Sequence, residues 1–436
     1  MIIPLTEATP ENAGAKAAAL GRLIRAGFPV PPGFVIPTAA YRSATAHPDP
    51  SANPDPSANP DRSATGHASQ FDAGHLSQSG TGRRHRDVVV SAWLVDELAG
   101  VLDVLGESSV AVRSSGSGED SAEGSAAGQY DSYLAVEGLA AVVAKVQLVW
   151  GSLWSRRAVA YRLLHPERTP EIAVIVQRFV DAEVAGVLFT ADPRTPGGAA
   201  VVEASWGLGE TVVQGLVTPD SYVVHAAGEI DRRCGSKATR RDRGAGGDGG
   251  GVVSNEVPVE QREKLCLWDE QLRRIARLGR EVAELMGGPQ DIEFAVENDR
   301  IWLVQTRPIT APLDAPEQQP QPTDDESVLR GVAGSPGTAS GPARLVRGVE
   351  DFGRVEAGDI LVCRFTDPVW TPLFGVVAGV VTEVGGRLSH AAIVAREHRI
   401  PAVLGVSGVM SAVEDGQSIT IVGDMGTVTV PGLLRS

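Results

Sequence analysis

The segment GGRLSHAAIVAREHRIPAVLG, Gly385 to Gly405, carries the strongest chemical signal in the chain. Two glycines permit a tight turn, Ser389 is suited to cap a helix, and His390 then falls in the first turn of AAIVARE. A phosphoryl group on that imidazole would meet free backbone N–H groups and the positive end of the helix dipole, each contributing about 0.3–1 kcal/mol. A satisfied surface histidine or a general base fits the same residues. Metal ligation fits less well, because the next histidine, His398, has no Cys or carboxylate partner at ligand spacing.

Two further segments carry groups suited to phosphate. VAVRSSGSGEDSAEGSAAGQYDSYLAV sets Arg113 at the end of a strand, ahead of Ser114, Ser115 and the small residues around Gly128. A planar guanidinium binds two phosphate oxygens at once, and a small-residue loop lets backbone amides approach an anion, which reads as a triphosphate cradle. A polar turn with Arg113 in a solvated ion pair is the alternative. PQDIEFAVENDRIWLVQTRPIT reads as a β-hairpin around Asn298 and Asp299. If its turn comprises the three residues from Asn298 to Arg300, Glu293 lies opposite Gln305 and Asp291 opposite Arg307, all on one face. Glu293 and Gln305 then supply hard oxygen ligands suited to Mg²⁺ bound with phosphates, and Arg307 can neutralise charge on a transferring phosphoryl group. A cross-strand salt bridge explains the same charges. Lys16 in GAKAAALGRLIRAGFPVPPGF can reach a phosphate from a short helix or simply face solvent.

The elements that position these groups fall into two blocks. AVIVQRFV, GVLFT and AVVEASW are short β-branched runs, and LWDEQLRRIARLGREVAELMGG carries Leu272, Ile275, Leu278, Val282 and Leu285 at helical spacing before Gly287 and Gly288. The block is α/β in pattern. DILVCRF, GVVAGVVTEV, PAVLGV and SITIVG are strand candidates around one clear helix after Ser389, which predicts a second compact layered unit. The hexapeptide repeat PDPSAN at 48–65 lies in a polar stretch from about Ala44 to Asp87 that is read as a flexible insertion, since it cannot bury enough apolar area to offset its ordering entropy. SKATRRDRGAGGDGGG, Ser236 to Gly251, is read as irregular, and APLDAPEQQPQPTDDES, Ala311 to Ser327, as an interdomain linker. Lys plus Arg number 39 against 54 Asp plus Glu, and a net charge of −15 gives no general attraction for nucleic acid or anionic lipid. The first residues lack a secretory signal and no apolar run spans a bilayer, so a cytoplasmic location is expected. Cys234, Cys266 and Cys363 form no CxxC pair and read as ordinary thiols.

Taken together, these segments resemble the phosphoenolpyruvate synthase, pyruvate phosphate dikinase and rifampicin phosphotransferase family. GAKAAALG with PVPPGF, VRSSGSGED, VQRFVDAEVAGVLFTADP, GLGETVVQGLVTPD and DIEFA with LVQTRPIT look like its ATP-binding domain, in order. GDILVCRFTDPVWTPLF with GGRLSHAAIVARE and IPAVLG looks like its phosphohistidine domain. The resemblance implies an α/β and α+β architecture: an ATP-grasp nucleotide-binding domain over 1–312, a linker at 313–327 and a small swivelling phosphohistidine domain over 328–436. It implies that Lys16, Arg113 and Arg307 contact ATP phosphates, that Gly128 and Ser132 close over them, that Gln177 sits at the adenine hinge, and that Glu293 and Gln305 hold Mg²⁺. His390 would attack the β-phosphoryl group, leaving AMP, and carry phosphate to an acceptor, a small metabolite or natural product that a separate protein could hold. A phosphorelay subunit serving a substrate-binding protein, or a silent ATP-binding regulator, are the other readings. Ser132 stands where the family commonly has threonine and Ala126 where it has phenylalanine, and no acceptor domain is visible.

Overall fold

Strands form along the β-branched runs, and their pairing directions separate two kinds of sheet. The computed structural model describes residues 1–46, 90–106, 109–116, 130–155, 158, 171–190, 198–245, 249–309 and 327–433. A five-stranded sheet runs in the order Ile3–Pro4, Gly33–Ile36, Ile172–Arg178, Val110–Gly116, Ser132–Val136. A six-stranded sheet follows the order Arg300–Pro308, Gln290–Glu297, Val184–Phe189, Ala200–Trp206, Asp220–Val224, Ile230–Arg233. Every pair in these two sheets is antiparallel. The α/β pattern expected of this block is therefore α+β in pairing, because hydrophobic periodicity reports which face is buried and not which way a neighbour runs. Parallel pairs occur in an eight-stranded sheet built from residues 328–429, where Thr338–Val346, Ile360–Cys363, Gly379–Thr382 and Ala402–Leu404 lie side by side.

The helix Pro10–Arg25 buries Ala13, Ala17, Leu20 and Leu23 in one core with Ile175 of the first sheet and Leu188 and Val202 of the second. The same core takes Leu272, Ile275 and Val282 from the amphipathic helix Asp269–Met286, which Gly287 ends in the left-handed conformation. The helix His390–His398 packs Ala391, Ala392, Val394 and Ala395 onto one face of the eight-stranded sheet. Its Ile393, with Leu388, turns the other way and joins Val187, Phe189, Val201 and Val212, so the His390 segment is seated against the six-stranded sheet.

The segment expected to be irregular at Ser236–Gly251 contains a strand, Thr239–Arg243, paired with Val252–Glu256. Ion pairs hold it in place of apolar burial: Arg240 with Asp242, Arg241 with Glu210, and Arg243 with Glu137. The repeat at 48–65 and the stretch from 310 to 326 lie outside the described residues, and the polar stretch begins inside a helix, Thr38–Ala46. Among the described residues no helix is long and apolar enough to cross a membrane.

Candidate active site

The hairpin Gln290–Glu297 and Arg300–Pro308 is built differently from expectation and reaches the same register. Asn298 and Asp299 alone make the turn, at φ of 50° and 60°, and Glu297 pairs with Arg300. Asn and Asp tolerate this left-handed backbone, which matches a tight two-residue loop to the twist of the strands. A regular ladder from that turn would set Glu293 opposite Val304. The register shifts between Glu293 and Phe294 instead, leaving Val304 as an extra residue, so that Glu293 faces Gln305 and Asp291 faces Arg307. The three-residue turn is thus corrected to a two-residue turn plus a β-bulge.

The bulge also frees a carbonyl. Arg113, on the strand Val110–Gly116 of the other sheet, donates from Nη1 to the Val304 carbonyl and from Nη2 to Gln305 Oε1 at 2.6 Å, with Glu293 Oε2 at 3.7 Å. Arg307 donates through Nε to Asp291 at 2.8 Å. Guanidinium, carboxylate and amide oxygen therefore converge on one face where the two sheets meet. Glu293 and Gln305 are hard oxygen donors at paired positions, and two such donors suit Mg²⁺, which keeps water and phosphate ligands of its own. Among the described residues no cluster of three or more His, Cys, Asp and Glu forms a complete metal cage.

Lys16 is nearly buried and follows a break in its helix at Gly14, whose φ is 76°. A Cβ at Gly14 would lie 2.6 Å from the Ser115 carbonyl, so only glycine allows this approach. Ser115 Oγ accepts from the Ala17 amide at 3.1 Å and ties the Lys16 turn to the end of the Arg113 strand. Ser132 lies directly opposite Arg113 on the neighbouring strand. Gln177 is set apart: it pairs with Ala111 and Gly33, and its side chain donates to the Pro31 carbonyl at 2.7 Å. Gly128 lies outside the described residues.

His390 opens its helix as expected, yet Ser389 does not cap it: the Ser389 hydroxyl donates to the Gly386 carbonyl at 2.8 Å. The local turn competes for the hydroxyl and wins. The ring is 8% exposed, edge-on to Phe374, with Nδ1 3.1 Å from Thr366 Oγ1. Burial, with the positive charge of Arg307 second, pushes its pKa down to about 4, so the imidazole is neutral at pH 7. With Nδ1 paired to Thr366, Nε2 is the ring nitrogen that could offer a lone pair.

Two residues of this site escaped sequence reasoning. Thr366 lies 24 residues before His390 in a segment with no periodic signal. Glu203 had a signal, a charge inside the apolar strand AVVEASW: it is 1% exposed and accepts from the amides of Arg387 at 2.8 Å and Leu388 at 3.0 Å. Burial outweighs those hydrogen bonds and raises its pKa above the ordinary glutamate value.

Residues 10–327 match the family model described as pyruvate phosphate dikinase, AMP/ATP-binding domain. The chain belongs to this dikinase family. Residues 355–426, which include His390, match the mobile domain of PEP-utilising enzymes. The dikinase-family chain is 39% identical to a probable phosphoenolpyruvate synthase of Archaeoglobus fulgidus over 73% of its length and 43% of that protein's. It is 35% identical to the phosphoenolpyruvate synthase of Aeropyrum pernix, covering 95% of its own length and 56% of the relative's. The Escherichia coli phosphoenolpyruvate synthase is 35% identical across 73% of this chain and 43% of its own. The chain thus spans about half the length of these relatives.

Proposed function

We propose that this chain is an ATP-dependent, dikinase-type phosphotransferase that loads the β-phosphoryl group of ATP onto His390 and passes it to an acceptor. One observation carries the reading: a neutral imidazole, paired through Nδ1 with Thr366, feels the charge of Arg307, whose strand also brings Gln305 to the platform where Arg113 and Glu293 meet. Arg113, Arg307 and Lys16 bind the triphosphate, with Ser132 opposite Arg113 beside it. Glu293 and Gln305 would hold Mg²⁺, which when bound neutralises phosphate charge.

His390 Nε2 attacks the β-phosphorus, the bond from that phosphorus to the oxygen shared with the α-phosphate breaks, and AMP leaves with the electron pair. The γ-phosphoryl group then goes to water or orthophosphate, and phosphate stays on His390. A covalent carrier splits one difficult transfer into two, and each site can exclude water in turn. In this reading the two antiparallel sheets are an ATP-grasp domain, and the unit after residue 327 swivels to deliver phosphate to a small metabolite or natural product. Gln177 marks the hinge that receives the adenine base, as the family resemblance implies.

ATP labelled at the β-phosphate tests the proposal. Acid-labile label is expected on the wild type and absent from His390→Ala, which still binds ATP. Label on both proteins, or on neither, would overturn it. Movement of the label into a small molecule from cell extract supports the acceptor class given, and movement onto a protein side chain replaces it with a phosphorelay.

A further inference from the structure

Glu203 is the charged residue of the strand Ala200–Trp206, and it is almost inaccessible. Its hydrogen-bond partners among the described residues are the two backbone amides of Arg387 and Leu388, which belong to the turn that delivers His390. A carboxylate that accepts from two successive amides fixes the direction of the turn as well as its distance. The approach is close: a Cβ on Gly386 would stand 2.3 Å from Glu203 Oε2, so a side chain there would push the carboxylate aside.

The register extends the argument. Gln305 faces Glu293, Glu293 faces Val187, and Val187 faces Glu203, so the four lie in one cross-strand row on one face of the six-stranded sheet. With neighbouring strands about 4.8 Å apart, Glu203 stands roughly 10 Å from the Glu293 position. The triphosphate platform and the grip on the His390 turn are thus parts of a single rigid surface. Next along the sheet, Val201 and Phe189 with Val187 and Val212 receive Leu388 and Ile393, which shields the grip from water.

We propose that Glu203 is a positioning residue for phosphoryl transfer from ATP: it clamps the Arg387 and Leu388 amides and so sets the His390 ring over the Gln305–Glu293 row, without itself touching substrate. The inference rests on the reading of His390 as the phosphoryl acceptor. A purely structural carboxylate would be expected to serve its own unit, whereas Glu203 spends its hydrogen bonds on a segment 184 and 185 residues away that carries the nucleophile. Displacement of a reacting group by about 1 Å can cost 10²-fold, and loss of the clamp acts on that displacement.

The test compares wild type, Glu203→Ala and Glu203→Asp as full chains in the presence of ATP. Three quantities are read: single-turnover labelling of His390 from β-labelled ATP, ATP affinity by equilibrium dialysis, and amide hydrogen exchange of the 386–389 peptide. Labelling is expected to fall about 10²-fold in the alanine variant, with ATP affinity within about twofold of wild type and exchange protection lost. Aspartate keeps the charge on a shorter arm and is expected to recover part of both labelling and protection, which keeps the test open should the alanine variant fold poorly. Wild-type labelling in Glu203→Ala, unchanged protection, or a parallel loss of ATP affinity would each overturn the clamp. Absence of label on the wild type would instead overturn the reading of His390, and this proposal with it.

Discussion

Charge is handled in opposite ways at the two ends of the candidate site. On the hairpin platform each charged group is met at close range, Arg113 by Gln305 and Glu293 and Arg307 by Asp291. Around His390 the ring meets a hydroxyl and a phenyl edge, and burial keeps it neutral. In the proposed function the platform receives an anion that arrives fully charged, and donors already fixed in direction need no reorganisation when it does. In the proposed function His390 has to offer a lone pair, which an imidazolium lacks. A cradle rich in charge and a nucleophile stripped of it are the two halves of one requirement, and each predicts a different response to mutation.

The contrast breaks most completely at Val304. Deleting it removes the bulge and restores the regular ladder, which keeps Gln305 opposite Glu293 and Arg307 opposite Asp291 but takes away the carbonyl that anchors Arg113. Labelling of His390 is expected to fall sharply as Arg113 loses its anchor, and thermal stability to drop, checked by calorimetry beside the labelling assay. A deletion variant that labels at more than about a tenth of the wild-type rate would show that the bulge carbonyl is not needed to aim Arg113. Arg307→Ala comes next, with labelling lowered about 10³-fold or more and Arg307→Lys restoring only part, since a point charge replaces a planar fork. Because Arg307 also helps to hold the His390 pKa down, the same variant is expected to let that value rise, read by NMR titration of the ring. Thr366→Val is a gentler probe of the neutral end. Losing the hydroxyl on Nδ1 frees the tautomer and is expected to cost about 10- to 100-fold, the size seen when a group that orients a working imidazole is removed. Thr366→Ser, which keeps the hydroxyl, should stay near wild type.

The two ends were also unequally legible in the sequence. The hairpin faces follow from period-two alternation of Asp291, Glu293, Gln305 and Arg307, and the helix Asp269–Met286 follows from the spacing of Leu272, Ile275 and Val282. The bulge was hidden because Val304 is an ordinary strand former, and a two-residue turn with a bulge leaves the same register as a three-residue turn without one. Strand direction in the first two sheets was hidden for a related reason, since alternation is blind to it. Thr239–Arg243 gave no apolar signal because its partners are carboxylates on Glu137, Glu210 and Asp242, distant or of no fixed spacing. His390 could be singled out from its own turn. Its environment could not, because Thr366, Glu203 and Arg307 come from three separate places in the chain and meet only through tertiary packing.

The smallest expected effect sharpens the comparison by pH. Seated against the six-stranded sheet, His390 resists protonation until about pH 4, whereas an exposed ring takes a proton near 6.5. The unseated state therefore binds more protons between those values, and the seated state loses stability as pH falls from about 6.5 toward 4, with this contribution fully present above 6.5. From the exposed value alone, the seating constant is expected to drop roughly eightfold between about pH 7 and 5.5. Glu203 acts in the other direction. Its carboxyl is raised by burial, so the seated state holds its proton more tightly and weakens as pH rises through that raised value. The two contributions oppose each other, so wild-type exchange protection of the 386–389 peptide, corrected for intrinsic rates, should vary less with pH than that of either single variant. His390→Ala should keep only the decline at higher pH and Glu203→Gln only the decline at lower pH. An acid-side decline that survives in His390→Ala would place the titrating group elsewhere, and with it the claim that a neutral imidazole is what the seated state selects.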